Sequence, residues 1–183
     1  VHAPLHDPEA LAEVLKKFYD RGPCQGIVYL PASDLSGTPT SASVAASQNR
    51  MANELLPLVQ QLARSKPPAG IRFALVTQAA HSVDDEAAES HPQQAPIWGF
   101  GRVLSMEHPE LDSRLIDLSG GDSTDEELTA FATEIASDGD ERQVALRGSQ
   151  RWVLRMTRGP AEVVEADESK EQSKQLAIPS SPS

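Results

Sequence analysis

The sequence predicts an α/β fold, a mostly parallel sheet with flanking helices. Three observations predict it. Helical and strand-length apolar segments alternate from residue 8 to 137. The strand-length segments are apolar nearly throughout, as strands buried on both faces are. The 14 prolines and 11 glycines fall mostly between the segments. Right-handed βαβ crossovers are the connections that would bury such strands. An all-helical fold would leave three β-branched runs of strand length unexplained.

In chain order, residues 1–7 form a connector. Because Val1 is not methionine, the segment reads as cut from a longer chain. Pro8–Tyr19 places Leu11, Val14, Leu15 and Phe18 on one helical face, with Asp7 as N-cap and Pro8 in the first turn. Gly22-Pro23 stops this helix. Gly26–Ala32 is an apolar strand, continuous enough to be buried on both faces, and Ser33–Ser43 is a loop. Val44–Ser65 is the longest helix, with a stripe from Met51 to Leu62. Pro57 inside it removes a backbone donor and crowds the preceding turn, so a kink is expected there. Gly70–Thr77 is the second strand and His81–Gln94 a polar, acidic surface loop. A helix at Ile97–His108 is entered through glycines and stopped by Pro109, and Arg114–Leu118 is the third strand. Thr124–Ser137 carries Leu128, Phe131 and Ile135 on one side. Arg142–Arg147 and Arg151–Met156 flank Gly148-Ser149 as a hairpin or a strand pair. The folded unit is thus expected over residues 8–158, followed by an acidic linker or disordered tail at 159–183 without apolar periodicity.

A net charge of −11 disfavours nucleic acid and anionic membrane surfaces as partners. No apolar run approaches the roughly 20 residues of a membrane span, and no secretory leader pattern opens the chain. A cytoplasmic location is the expectation. Cys24 is the one cysteine, so no internal disulfide forms, and its plain role is that of a small apolar residue.

Dinucleotide binding would need Gly-x-Gly-x-x-Gly directly after a strand. The chain offers Gly99-Phe-Gly101-Arg-Val-Leu104 after a loop, with Leu104 where the third glycine belongs. Close helix–sheet packing is the better account of these glycines. The five histidines are scattered without metal-ligand spacing, and no Gly-x-Ser-x-Gly elbow is present. The sequence therefore assigns no catalytic, cofactor-binding or metal-binding residue.

The run Pro96-Ile-Trp-Gly-Phe-Gly-Arg-Val-Leu-Ser-Met-Glu-His-Pro109 carries the most specific family signal. Together with Gly26–Ser33, Phe73–Ala79 and the segments Gln143–Arg147 and Arg151–Arg155, it resembles the ketoreductase region of bacterial type I modular polyketide synthases. The matching motifs resemble the structural half of that region, a truncated Rossmann-like unit of the short-chain-reductase type. The signature residues are Trp98, Gly99, Gly101, Arg102, Glu107, Pro109 and Asp117. The resemblance implies a noncatalytic subdomain that braces a neighbouring catalytic domain in polyketide biosynthesis. NADPH is then expected only in an adjoining catalytic half. The implied partners are that half, an enoylreductase or methyltransferase domain, and an acyl carrier protein. Against the family pattern, the expectation is that the opening strand–helix–strand portion of that half is not part of residues 1–183.

Short-chain reductases use a tyrosine with lysine or asparagine four positions on. Tyr19 is followed there by Pro23 and Tyr29 by Ser33, so neither qualifies. Thr77, Trp98 and Arg102 fall in the order in which an active reductase places serine, tyrosine and lysine. An indole has no acidic hydroxyl, and a guanidinium does not release its proton at neutral pH. The plainer expectation is that Trp98 fills the core while Arg102 pairs with Glu107 or Asp117. The alternative function is a fragment of an active NADPH-dependent β-ketoacyl reductase acting on carrier-bound intermediates. A free-standing docking protein for an acyl carrier partner is a third.

Overall fold

The computed structural model describes residues 4–22, 26–31, 39–65, 71–83 and 91–155. Cys24, most of the Ser33–Ser43 loop, the acidic run at 84–90 and everything from Met156 onward lie outside the described residues, the 159–183 tail included.

Helix α1 (Pro8–Asp20) starts where Asp7 accepts hydrogen bonds from the Glu9 and Ala10 amides. The connector before it is not free-standing, because Leu5 packs against the core. Strand β1 is Gly26–Tyr29. Helix α2 (Ser41–Arg50) begins earlier than expected, because Thr40 and Ser43 form a reciprocal capping box. The expected kink at Pro57 takes a specific form. A π-helical segment, Met51–Leu55, separates α2 from α3 (Leu56–Ser65), and the Leu56 amide bonds the Met51 carbonyl five residues back. The wider turn accommodates the proline ring at the start of α3.

Strand β2 (Arg72–Gln78), helix α4 (Ala95–Glu107), strand β3 (Ser113–Leu118), helix α5 (Asp125–Ala136) and strands β4 (Gln143–Arg147) and β5 (Gln150–Val153) complete the fold. The sheet order is β1-β2-β3-β4-β5, parallel except for the antiparallel β4–β5 hairpin. Gly148 takes φ +58° at the first turn position, as a II′ turn requires.

Alternation along the strands divides the core in two. On one face Phe73, Leu75 and Leu115 meet Leu11 and Leu15 of α1, Leu58 and Leu62 of α3, and Ile97 and Leu104 of α4. On the other, Ala74, Val76, Ile116 and Val144 meet Phe131 and Ile135 of α5. Since β1 to β4 step across the sheet in one direction, the crossover through α5 has the opposite hand to the two through α3 and α4. The expectation of uniformly right-handed crossovers is thereby corrected. The first face beside β3 is already taken by α4, and α5 finds its apolar partners on the second.

Two further expectations need correction. Strand β1 is a sheet edge, and Val28 is 38% exposed because α5 does not reach over it, so the strand is not buried on both faces. Leu128 of α5 is 49% exposed, and the buried side of that helix instead carries Glu127 and Glu134. Glu127 accepts from the Ser119 amide and hydroxyl, and Glu134 is bidentate with Arg151 of β5.

At the opposite end of the sheet from the α5 N-terminus, Asp112 collects Arg72, Arg114 and Arg142. Burial alone would raise the Asp112 pKa, but hydrogen bonding and charge from Arg142, aided by Arg72 and Arg114, hold it below the usual carboxylate value. Arg72 also donates to the Ile135 carbonyl in the last turn of α5, and Arg114 donates to the hydroxyl of the C-cap Ser137 and to the Gly139 carbonyl beyond it.

The two signature glycines play unlike roles. A Cβ added at Gly101 would lie 2.5 Å from Leu115 Cδ2 and 3.0 Å from Leu75 Cδ1, so this glycine sets the approach of α4 to the sheet. A Cβ at Gly99 meets nothing among the described residues within 4 Å. Gly101→Ala should therefore destabilise the fold by about 1–2 kcal/mol, the overpacking exceeding the gain in helix propensity. Gly99→Ala should stabilise it by up to about 1 kcal/mol. Denaturant midpoints of the two variants, moving in opposite directions from the parent, check both.

Candidate functional site

The polar centre of the molecule lies at the C-terminal ends of β2, β3 and β4, where open α/β sheets hold their ligands. Parallel register brings Thr77 beside Asp117. Asp117 is fully buried, and both its oxygens are used. Oδ1 accepts from the Thr77 hydroxyl at 2.6 Å and the Ala80 amide at 2.9 Å. Oδ2 accepts from Arg147 Nη2 at 2.7 Å and the His81 amide at 3.3 Å. Arg147, last residue of β4, also donates to the Asp117 and His81 carbonyls. The indole N–H of Trp98 reaches down from α4 to the Thr77 hydroxyl at 2.8 Å. The Thr77 oxygen is thus bonded on both sides, accepting from Trp98 and donating to Asp117.

The turn after β2 is tight. Ala79 takes φ +46°, and its amide bonds the Leu118 carbonyl. This geometry turns the chain so that His81 meets Trp98 edge to face, with centroids 4.3 Å apart and planes at 80°. Burial lowers the His81 pKa below 6.5. The Asp117 charge opposes this, and the positive charges of Arg102 and Arg147 reinforce it. His81 Nε2 is buried without a hydrogen-bond partner among the described residues.

The stretch His81–Gln94 is therefore not simply a surface loop. His91, Gln93 and Gln94 are buried, a short 3₁₀ turn (Pro92–Gln94) leads into α4, and Gln94 Oε1 accepts from the Gln78 amide. Arg102 pairs with neither carboxylate expected for it. Its Nε donates to Gln143 Oε1 at 3.0 Å, Asp117 is taken by Arg147, and Glu107 lies exposed in the last turn of α4. Trp98 is buried in the core as expected. Pro109 opens the 3₁₀ turn Pro109–Leu111 between α4 and β3. The structure thus gathers Trp98 and Asp117 through Thr77, places Arg102 beside them, and leaves Gly99, Glu107 and Pro109 apart. Sequence reasoning missed Arg147 and His81. The available signal for Arg147 was a cation two positions after Ala145 on a strand that alternates.

Chemically, this centre is a closed relay of donors and acceptors with His81 at its edge. Tyr29 lies elsewhere, in the core under α3, where burial and Glu54, partly opposed by Arg50, push its hydroxyl up to about 12. That is the wrong direction for a proton donor at neutral pH. Among the described residues no group of three or more His, Cys, Asp or Glu side chains could hold a metal ion. Nor, among them, is any helix long and apolar enough to cross a membrane.

Residues 2–156 match the family described as the Rossmann fold domain of the polyketide synthase extender module SpnB. The chain belongs to this family. It is 35% identical over 159 residues to polyketide synthase GfsA of Streptomyces halstedii, covering 85% of this chain and 2% of that protein. Against the pikromycin polyketide synthase component PikAII of Streptomyces venezuelae it is 35% identical over 160 residues, covering 85% and 4%. Among solved structures, a C2-type ketoreductase from a modular polyketide synthase superposes with a TM-score of 0.65 at 30% identity, over 83% of this chain and 32% of that one. The chain is a Rossmann domain of a ketoreductase region and spans only a small part of its curated relatives.

Removing the buried carboxylate leaves Arg147 without its counter-charge. Asp117→Ala should lower the unfolding free energy by about 3–5 kcal/mol, measured by chemical denaturation. His81 adds a pH dependence with a defined sign. Its folded pKa lies below the unfolded value, so the unfolded chain takes up the proton first. Stability is fully present above pH 6.5 and declines as pH falls toward the folded pKa. His81→Gln should flatten that slope, which urea midpoints compared at pH 7 and about pH 5.5 would read.

Proposed function

We propose that this domain is the noncatalytic structural subdomain of a polyketide synthase ketoreductase region, bracing a neighbouring catalytic domain. The observation that carries this reading is the Trp98–Thr77–Asp117–Arg147 relay. At the strand ends where a reductase of this fold holds its reacting groups, the hydroxyl is committed on both sides and the carboxylate is fully enclosed. On this reading Trp98 and Arg102 of α4 take the places of the proton-donating and proton-relaying side chains, and neither can do that chemistry. NADPH binding then belongs to an adjoining catalytic half.

The outer face of α4 supports the bracing role. Val103 and Met106 are 51% and 83% exposed one turn apart, beside the open Gly99. A glycine in a helix interior is unfavourable by about 1 kcal/mol, and nothing among the described residues requires this one. A partner element approaching α4 closely would require it.

Two outcomes test the proposal. NADPH at saturating concentration should leave the melting temperature of the isolated chain unchanged, and a clear rise would refute the noncatalytic reading. Co-purified with a ketoreductase catalytic half, the parent chain should raise that half's NADPH oxidation. Val103→Asp/Met106→Asp should abolish this support while its own melt stays that of the parent.

A further inference from the structure

Both tryptophans of the chain stand on the walls of one cleft of about 290 Å³. It opens on the sheet face that α4 covers, beyond the edge of that helix, where β4 and β5 carry no helix of their own. Trp98 and Arg102 form one side. Gln143, Ala145 and Trp152 form the floor, and His81 and Val83 close one end. The volume sits at the small end of the range that ligand clefts occupy, about 300–1,000 Å³.

Its charge runs against that of the chain. The sequence carries a net charge of −11, yet among the described residues no Asp or Glu lines this cleft, whereas Arg102 and Arg155 do. Arg155 is neutralised by Glu141. Arg102 has only the neutral amide of Gln143, and makes no ion pair among the described residues. At the same wall His81 Nε2 is buried without a protein partner. A guanidinium without a counter-charge among the described residues, beside the Gln143 amide and two indoles, is a small polar set in a largely apolar recess.

We propose that this cleft is a binding site for a small organic carboxylate. Its apolar body lies along Trp152, Leu154 and Val83, and its carboxylate accepts from the Arg102 guanidinium. The proposal does not rest on the bracing role, since the outward-facing Val103 and Met106 are no part of the cleft.

Because Trp98 and Trp152 are the chain's only tryptophans, fluorescence excited selectively at tryptophan reports on the walls of the cleft. The full chain is titrated with phenylacetate, with its neutral analogue phenylacetamide and with phenethylamine. Phenylacetate should give a saturable change and raise the melting temperature, binding about tenfold more tightly than the amide, with no saturable response to the amine. Arg102→Gln, at an exposed position, should keep the parent's circular dichroism and bring phenylacetate affinity down to that of the amide. Equal affinity for acid and amide would overturn the proposal. So would the absence of a saturable change up to on the order of 10 mM phenylacetate, or unaltered phenylacetate binding by a folded Arg102→Gln chain.

Discussion

A carboxylate with no exposure at all organises the C-terminal end of this sheet. Asp117 joins β3 to β2 through Thr77, to β4 through Arg147, to the Ala79–His81 turn through two amides, and indirectly to α4 through the Trp98 indole. Burying a charge in this way is tolerable only because every lone-pair direction meets a donor and a guanidinium lies 2.7 Å away. The position of the helix over the sheet, the direction of the chain leaving β2 and the environment of His81 all follow from that arrangement. The same arrangement commits the Thr77 hydroxyl and both Asp117 oxygens to partners within the fold.

The two ends of the sheet are built on the same principle with opposite signs of burial. Asp112 at the other end is half-open to solvent and shared by three arginines, two of which also serve the α5 C-terminus. Between these polar ends the core consists of aliphatic and aromatic side chains, with α4 approaching the sheet closely at Gly101. Polar groups fix which strand ends meet, and apolar burial, at roughly 25 cal/mol per Å², supplies most of the stabilisation.

Much of this was legible in the residues. The Asp7 cap, the β4–β5 hairpin around Gly148, the helix before Pro109 and the core place of Trp98 are local signals, and each holds within a residue or two. What could not be read depends on sheet position and on neighbours distant in sequence. The apolar run at Gly26–Ala32 looks like an inner strand, yet it forms the edge, because strand order is set by the crossovers. Arg102 loses Asp117 to Arg147, a competitor 45 positions away in chain numbering whose reach depends on β4 lying beside β3. The polar composition of His81–Gln94 suggests solvent, but the positive φ at Ala79 folds its start and end onto the protein. Polarity predicts exposure only when no buried partner awaits.

The wide turn at Met51–Leu55 has a consequence for how the long helical arm transmits disturbance. Before it, α2 has no fully buried residue, whereas Leu55 at its end and Leu58, Val59 and Leu62 after it are all anchored in the core. The hydrogen-bond ladder changes there from four-residue to five-residue steps, which marks the boundary between the two. Fraying or length change that begins at Thr40 has a natural stopping point before it reaches the sheet, which insulates the polar centre from whatever the preceding loop contacts.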